Sequence, residues 1–435
     1  MADNDLLSTL HRIGAVEPAD RGFYRAARMC QGGSVTQQTP DLSWVQERFP
    51  GQVVTPADAF QHVHRGDRIF LGTGCGYPQY LVEELVAFTR EHPKAFFDTE
   101  VLHVWTLGVN PYLREEVRRN FRLNSFFVSG STRDAVNEGS ADYTAIFLSR
   151  VPELFARGVI PVDVALIQTS PPDEHGFVSL GISVDTVRMA VDQARTVICQ
   201  INPFMPRTHG DSFVHMSKVD FAVPHAEPLL TLPSQHVEDD VAESIGKYVA
   251  RLVQDGDTIQ VGYGRIPDAI LSSLAHRKHL GVHTELLSDG LVALMQAGVV
   301  DNTRKAIDRH KTVAAFCMGS TSTYEYLHDN PAVAFRSVDY TNNPSVISRI
   351  PRMVAINSAL QIDLSGQATA ESLDGQVYSG VGGQPDFMRG AVLSPEGRSV
   401  LVLPSTARQG KVSRIVPCLS EGAGVTLTRS DVHYV

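Results

Sequence analysis

The chain has 435 residues, is 43% hydrophobic and carries a formal net charge of -10 at pH 7. That length exceeds one ordinary core and calls for two domains plus an extension. The acidic balance argues against a nucleic-acid partner, although a phosphorylated cofactor needs only a local basic patch.

The N-terminus carries Asp3 and Asp5, lacks a basic-then-apolar signal pattern and is followed by no apolar run of membrane-spanning length, so a cytoplasmic location is expected. The five cysteines are scattered without a CxxC pair, which disfavours disulfide frameworks and zinc knuckles. Residues 1–50, with a helical start at Leu6 to Ile13 and the polar stretch Gln31 to Pro40, read as an arm laid over a first domain.

From Thr55 the pattern is regular. A helix is predicted over Pro56 to His64, then a Gly66-Asp67 turn, a strand Arg68 to Leu71, the turn Gly72 to Gly76 and a helix from Pro78 through Leu85. Val162 to Ile167 and Thr196 to Ile201 read as buried parallel strands that empty into the loops Ser170 to Gly176 and Asn202 to Asp211. Pro224 to His236 reads as the link between domains 51–232 and 233–435.

The next stretch repeats the first. An amphipathic helix, Val237 to Val253, precedes Gly256-Asp257, a strand to Val261, the turn Gly262-Tyr263-Gly264 and a helix opened by Pro267. Gly66, Asp67, Ile69, Gly72 and Gly74 match Gly256, Asp257, Ile259, Gly262 and Gly264 at one constant offset, so two tandem α/β units are expected. A second strand, Leu280 to Leu287, carries Glu285, and continuing the match after a longer gap sets His103 opposite His283 and Trp105 opposite Glu285. Further strands are predicted at Thr312 to Cys317, Met353 to Leu360 and Ser399 to Leu403, with a second glycine-rich loop at Gly380 to Gln384.

Ligands of open α/β sheets lie at the carboxyl ends of strands, which makes Glu285 the residue where chemistry is expected. A dinucleotide fingerprint is a rival reading of Gly262-Tyr263-Gly264, with Glu285 as the ribose-binding acid, but Pro267 stands where the third glycine belongs. A purely structural reading makes both turns merely tight and Glu285 a solvated acid. GxSxG and P-loop patterns are absent, His62 with His64 and His209 with His215 lack metal-site spacing, and Arg207, Lys411 and Arg414 read most simply as solvated cations.

Taken together, Ser170-Pro171-Pro172-Asp173, Met205-Pro206-Arg207-Thr208, Gly262 to Asp268, His283-Thr284-Glu285, Tyr340-Thr341-Asn342-Asn343-Pro344, Gly380 to Gln384 and Ser413 to Pro417 resemble the acetyl-CoA hydrolase/transferase family. Within it, they are most similar to 4-hydroxybutyrate and butyrate:acetate CoA-transferases.

The resemblance implies two tandem open α/β CoA-transferase domains with the active site at their interface. It makes Glu285 the catalytic glutamate, the backbone NH groups of Tyr263 and of Gly382 or Gly383 the oxyanion hole, and Asn357 an asparagine near the glutamate. Gly262, Gly264, Gly380, Gln384, Lys411 and Arg414 are then expected to receive coenzyme A, which is a substrate; no metal and no tightly bound cofactor is expected. Members of the family continue past His433-Tyr434-Val435, so the second domain is expected to lack a closing segment.

The expected partners are an acyl-CoA and a short-chain carboxylate such as acetate, in a homo-oligomer without nucleic acid or membrane. The expected reaction is CoA exchange through acyl-glutamyl anhydride and glutamyl-CoA thioester, with acyl-CoA hydrolysis as the near alternative and an NAD-dependent oxidoreductase as the distant one. A nucleophilic carboxylate must be ionised, so polar surroundings that leave its pKa low are expected around Glu285.

Overall fold

The computed structural model describes residues 41–107, 110–234 and 239–435. The arm features at Leu6 to Ile13 and Gln31 to Pro40 lie outside the described residues.

In the first domain, α1 (Pro56–Phe60) starts at Thr55, whose hydroxyl accepts the Asp58 N–H. It leads to β1 (Arg68–Leu71), α2 (Gln79–Glu91), β2 (Thr99–His103), β3 (Phe121–Ser125), β4 (Asp142–Tyr143), β5 (Val164–Thr169), β6 (Thr196–Ile201) and β7 (Phe221–Pro224). These strands form one seven-stranded sheet in the order β7-β6-β5-β1-β2-β3-β4, parallel at every pairing.

Every residue of β5 is buried and β6 is buried after its first position, as expected of strands covered on both faces. Leu81, Val82, Leu85 and Val86 recur at helical spacing on α2 and pack with Ile69, Leu71, Val101 and Leu123 into the core of this domain.

The second domain repeats the plan. After α3 (Asp240–Leu252) come β8 (Thr258–Val261), α4 (Arg265–Ser273), β9 (Gly281–Val282), β10 (Leu286–Leu287), β11 (Thr312–Ala314), β12 (Phe316–Cys317), β13 (Val333–Phe335), α5 (Val338–Thr341), β14 (Met353–Ser358), α6 (Gln384–Leu393) and β15 (Arg398–Val402). Strands β9-β8-β14-β15 form a parallel sheet matching β2-β1-β5-β6. His433 to Val435 run beside β15 as β7 runs beside β6, with a parallel bridge between Val400 and Tyr434.

The repeated Gly-Asp turns do the same work in both copies. Gly66 and Gly256 adopt φ of +79° and +83°, a region that favours glycine. The following aspartates cap the turn: Asp67 accepts the His64 N–H and Asp257 the Gln254 N–H, both at 2.7 Å. Each also pairs with an arginine at the start of the strand two places along the sheet, Arg195 at 2.8 Å from Asp67 and Arg398 at 2.9 Å from Asp257.

The register corrects the alignment expected beyond these turns. Ile69 faces Val101 and Ile259 faces Val282, so His283 corresponds to Leu102 rather than His103, and Glu285 to Val104 rather than Trp105. Among the described residues, no helix is long and apolar enough to cross a membrane.

Candidate active site

Glu285 sits where the second domain's strand pattern breaks. The backbone N–H groups of Ala315 and Phe316 both donate to the Glu285 carbonyl, at 2.8 and 3.1 Å, so two residues oppose one. This β-bulge separates β9 from β10 and β11 from β12, where the sequence predicts unbroken strands over Leu280 to Leu287 and Thr312 to Cys317. Bulges re-aim side chains, and here the break falls at the acid itself. Ala315 is in turn clamped from the first domain by the N–H groups of Val184 and Asp185.

The carboxylate is held from two sides. Asn342 Nδ2 donates to Glu285 Oε2 at 2.6 Å. Gly383 lies so close that a Cβ there would stand 1.8 Å from the same oxygen, so only glycine leaves room for the acid. Asn342 ends α5, and that helix is tied to the segment bearing Glu285 by His283, whose Nε2 lies 2.8 Å from the Thr341 carbonyl. Burial pushes the His283 pKa down to about 3, which keeps the ring neutral and fixes it as an Nε2–H donor to that carbonyl. The His283-Thr284-Glu285 run thus places a positioning residue two places before the acid.

Asn357, expected near the glutamate, exchanges amide hydrogen bonds with Gln260 at 2.9 and 3.1 Å. The amide that reaches Glu285 belongs to Asn342.

The expectation of a low pKa is also overturned. Glu285 is half-buried as a residue, but its carboxyl group is deep enough that loss of hydration pushes its pKa up to about 7. The Asn342 hydrogen bond opposes that rise, while the nearby carboxylates of Asp386 and Asp185 add to it. Burial likewise pushes Asp386 up to about 7 and Asp185 up to about 6.

The glycine-rich loop Gly380 to Gln384 is clasped by the first domain. Gly382 accepts the Leu148 N–H at 3.2 Å, and the Val381 N–H donates to the Tyr143 hydroxyl at 2.9 Å. Asp386, in the first turn of α6, takes the Ser149 N–H at 3.0 Å on one oxygen and the Ser149 hydroxyl at 2.8 Å on the other. Gly380 and Gly382 press against Phe127, and Gly382 has φ of +63°. Gly383 caps α6, so the positive end of that helix dipole lies beside the carboxylate. Gln384 follows, with its Nε2 buried and unpartnered.

The other glycine turn is open. A Cβ on Gly262 or Gly264 would meet nothing within 4 Å, and Gly264 has φ of +126°. This turn leaves the carboxyl end of β8, while Asn357 lies at that end of β14. Past the carboxyl end of β15, a hairpin pairs Thr406–Ala407 with Val412–Ser413 and carries exposed Lys411 at its tip, with half-buried Arg414 just after it. Glu285, the open turn and this hairpin therefore share one edge of the sheet. The outer strands β9 and β15 stand three strand spacings apart, about 14 Å.

Sequence reasoning missed Asn342 as a contact of the acid and missed Asp386, Ser149 and Tyr143 altogether. Asn342 stood inside a quoted motif, but only the fold reveals which asparagine amide reaches Glu285.

Residues 36–232 match the family model for the acetyl-CoA hydrolase/transferase N-terminal domain, and residues 319–435 match that for the C-terminal domain. The chain is 44% identical to 4-hydroxybutyrate coenzyme A transferase of Clostridium kluyveri, over 91% of this chain and 90% of that protein. It is 39% identical to succinyl-CoA:acetate/propanoyl-CoA:succinate CoA transferase of Fasciola hepatica, over 97% of this chain and 87% of that one. Among solved structures it is similar to RipA from Yersinia pestis, with a TM-score of 0.83 and 34% identity over 91% of this chain and 90% of that chain.

Proposed function

The chain belongs to the acetyl-CoA hydrolase/transferase family and is an enzyme of CoA transfer; from that premise we propose that Glu285 exchanges CoA between a short-chain acyl-CoA and a carboxylate such as acetate, by covalent catalysis. The observation that carries this reading is the carboxylate itself, set against Gly383 at the start of α6 and bonded to Asn342.

Exchange between two carboxylic acids is nearly thermoneutral, so the problem is kinetic: a carboxylate is a weak nucleophile. A Glu285 oxygen attacks the thioester carbonyl, and collapse of the tetrahedral oxyanion expels CoA thiolate and leaves an acyl-glutamyl anhydride. The thiolate then attacks the glutamyl carbonyl and expels the first acid as its carboxylate. An incoming carboxylate attacks the resulting glutamyl-CoA thioester, and the same steps in reverse release the new acyl-CoA and restore Glu285.

A pKa raised to about 7 suits this role, since it makes the ionised carboxylate a better nucleophile while leaving most of it ionised at slightly alkaline pH. Each tetrahedral oxyanion needs donors, and the backbone N–H groups of Tyr263 and of Gly382 or Gly383 are assigned to it. One such donor is worth about 3 kcal/mol of transition-state stabilisation.

Gly262 and Gly264 leave space for the pantetheine arm, with Gly380 and Gln384 on its other side. Lys411 and Arg414, at the far end of the same sheet edge, are assigned to the nucleotide phosphates. Coenzyme A is thus a substrate, bound along the carboxyl ends of the second domain's strands.

The family model that the chain matches covers hydrolases as well as transferases, so water is a competing acceptor and hydrolysis is the second reading. Rates of CoA release from acetyl-CoA with and without a second carboxylic acid separate them: transfer predicts that release depends on the acid and that the acid's CoA ester accumulates. Release that proceeds at one rate whatever acid is added would make the enzyme a hydrolase.

A further inference from the structure

The two repeated glycine turns differ in what fills them, and only the second has a part in the proposed reaction. A Cβ on Gly262 or Gly264 would meet nothing within 4 Å. In the first copy the space is taken: a Cβ on Gly76 would stand 2.6 Å from the Ser183 Cβ, and one on Gly74 would touch Met318 and Phe316, at 3.6 and 3.8 Å. Ser183 is bound to this turn twice. Its Oγ accepts the Thr73 N–H at 3.2 Å and donates to the Thr73 carbonyl at 2.8 Å, and both residues are buried.

Ser183 belongs to a strap of the first domain, Ile182 to Asp185, that runs antiparallel along β12. From Phe316 to Met318 the N–H groups alternate between two neighbours. Phe316 donates to the Glu285 carbonyl and Met318 to the Leu287 carbonyl, while Cys317, between them, donates to the Ile182 carbonyl at 2.9 Å. The strap thus lies on the edge of β12 opposite the segment bearing Glu285, and it reaches the acid by two routes. The N–H groups of Val184 and Asp185 hold the Ala315 carbonyl, and with it the bulge that aims Glu285. The Asp185 carbonyl accepts the Val338 N–H at 3.0 Å and the Ser337 hydroxyl at 2.8 Å, which fixes the start of α5, the helix whose other end presents Asn342 to Glu285 Oε2.

We infer that Ser183 is a positioning residue for Glu285, and that the first glycine turn receives no substrate but is the socket that holds Ser183. The strap supports the acid through its own backbone groups, and the Ser183 side chain pins that backbone to the first domain. A shift of the strap moves the bulge and the Asn342 helix together. Misplacing a reacting group by about 1 Å costs roughly a hundredfold in rate, and part of that shift costs about tenfold. This inference rests on the covalent reading of Glu285.

The test uses the full chain with acetyl-CoA and follows covalent loading of Glu285 by rapid-quench mass spectrometry, beside steady-state kcat and KM. Ser183→Ala removes both bonds to Thr73; it is expected to slow loading and lower kcat about tenfold while KM for acetyl-CoA stays within about twofold. Gly76→Ala drives Ser183 off the turn, is expected to show the same slowing, and carries the test should Ser183→Ala fail to fold. Ser183→Cys, which keeps a weaker donor and acceptor in place, is expected to recover part of the rate. Loading at the unaltered rate by Ser183→Ala, or by Gly76→Ala in its place, with only the melting temperature lowered, overturns this inference alone. A raised KM at unchanged kcat also overturns it, since the first turn would then be a substrate site. No loading in the unaltered chain overturns the covalent reading and takes the inference with it.

Discussion

Replacing Gly383 with alanine isolates the geometry at the acid. The backbone there has φ of -95°, so a side chain brings no conformational strain, and the whole effect is steric. The new Cβ would lie 1.8 Å from Glu285 Oε2 and 2.1 Å from Asn342 Nδ2, whereas real Cβ contacts essentially never fall below 3.0 Å. The carboxylate must therefore retreat by about 1.2 Å, and its bond to Asn342 must open. A displacement of about 1 Å in a reacting group costs roughly a hundredfold in rate, and a disturbed oxyanion donor adds a further factor of about ten to a hundred.

Gly383→Ala should thus lower kcat for CoA exchange by three orders of magnitude or so, with KM for acyl-CoA little changed. Overpacking at one site costs about 1–3 kcal/mol, so a thermal melt should show a folded protein. Gly262→Ala is the contrasting variant: its Cβ meets nothing, so stability is untouched, and any loss shows as a raised KM for acyl-CoA. Wild-type exchange by Gly383→Ala would refute the placement of that loop against the acid.

Three further outcomes follow from the same contacts. Glu285 reacts only when ionised, so kcat/KM should fall as pH drops through about 7; Asn342→Ala removes the hydrogen bond that favours the charged form and should move this limb upward by roughly one pH unit, read from initial rates across pH 5.5–9. Ser149→Ala takes one of the two donors from Asp386 and loosens the clasp on the glycine loop, which should lower kcat on the order of tenfold at unchanged KM, while a change confined to the melting temperature would make the clasp structural only. Asp257→Ala strands Arg398, which is 14% exposed, and should cost about 3–5 kcal/mol in a denaturant titration; Asp67→Ala should cost less, because Arg195 is 51% exposed and can turn to water.

The fold was legible where local signals agree with burial. Arg68 to Leu71 and Thr196 to Ile201 coincide with their strands, because β-rich runs bounded by turn residues have no competing reading. The repeat was legible from Gly66-Asp67 and Gly256-Asp257, since a positive φ followed by a capping aspartate leaves a fixed signature. Its continuation slipped by one residue, because nothing local marks which residue of β9 faces Ile259; that register belongs to the sheet.

At the site, Glu285 could be named in advance because it follows a glycine-turn unit at a strand end. The bulge at Ala315, which aims it, has no sequence mark, and neither has the choice between Asn342 and Asn357, whose amides differ only in what the fold sets beside them. The raised pKa was missed for a related reason. It arises from burial together with Asp386 and Asp185, which lie 101 residues after and 100 residues before Glu285 in the chain.

The central claim is a covalent bond between Glu285 and substrate, and intact-protein mass spectrometry after mixing with acetyl-CoA alone addresses it. The account predicts a CoA-sized adduct that maps to Glu285, disappears on adding acetate and never forms in Glu285→Gln. A protein that binds CoA yet stays unmodified, or an adduct that survives Glu285→Gln, would contradict it.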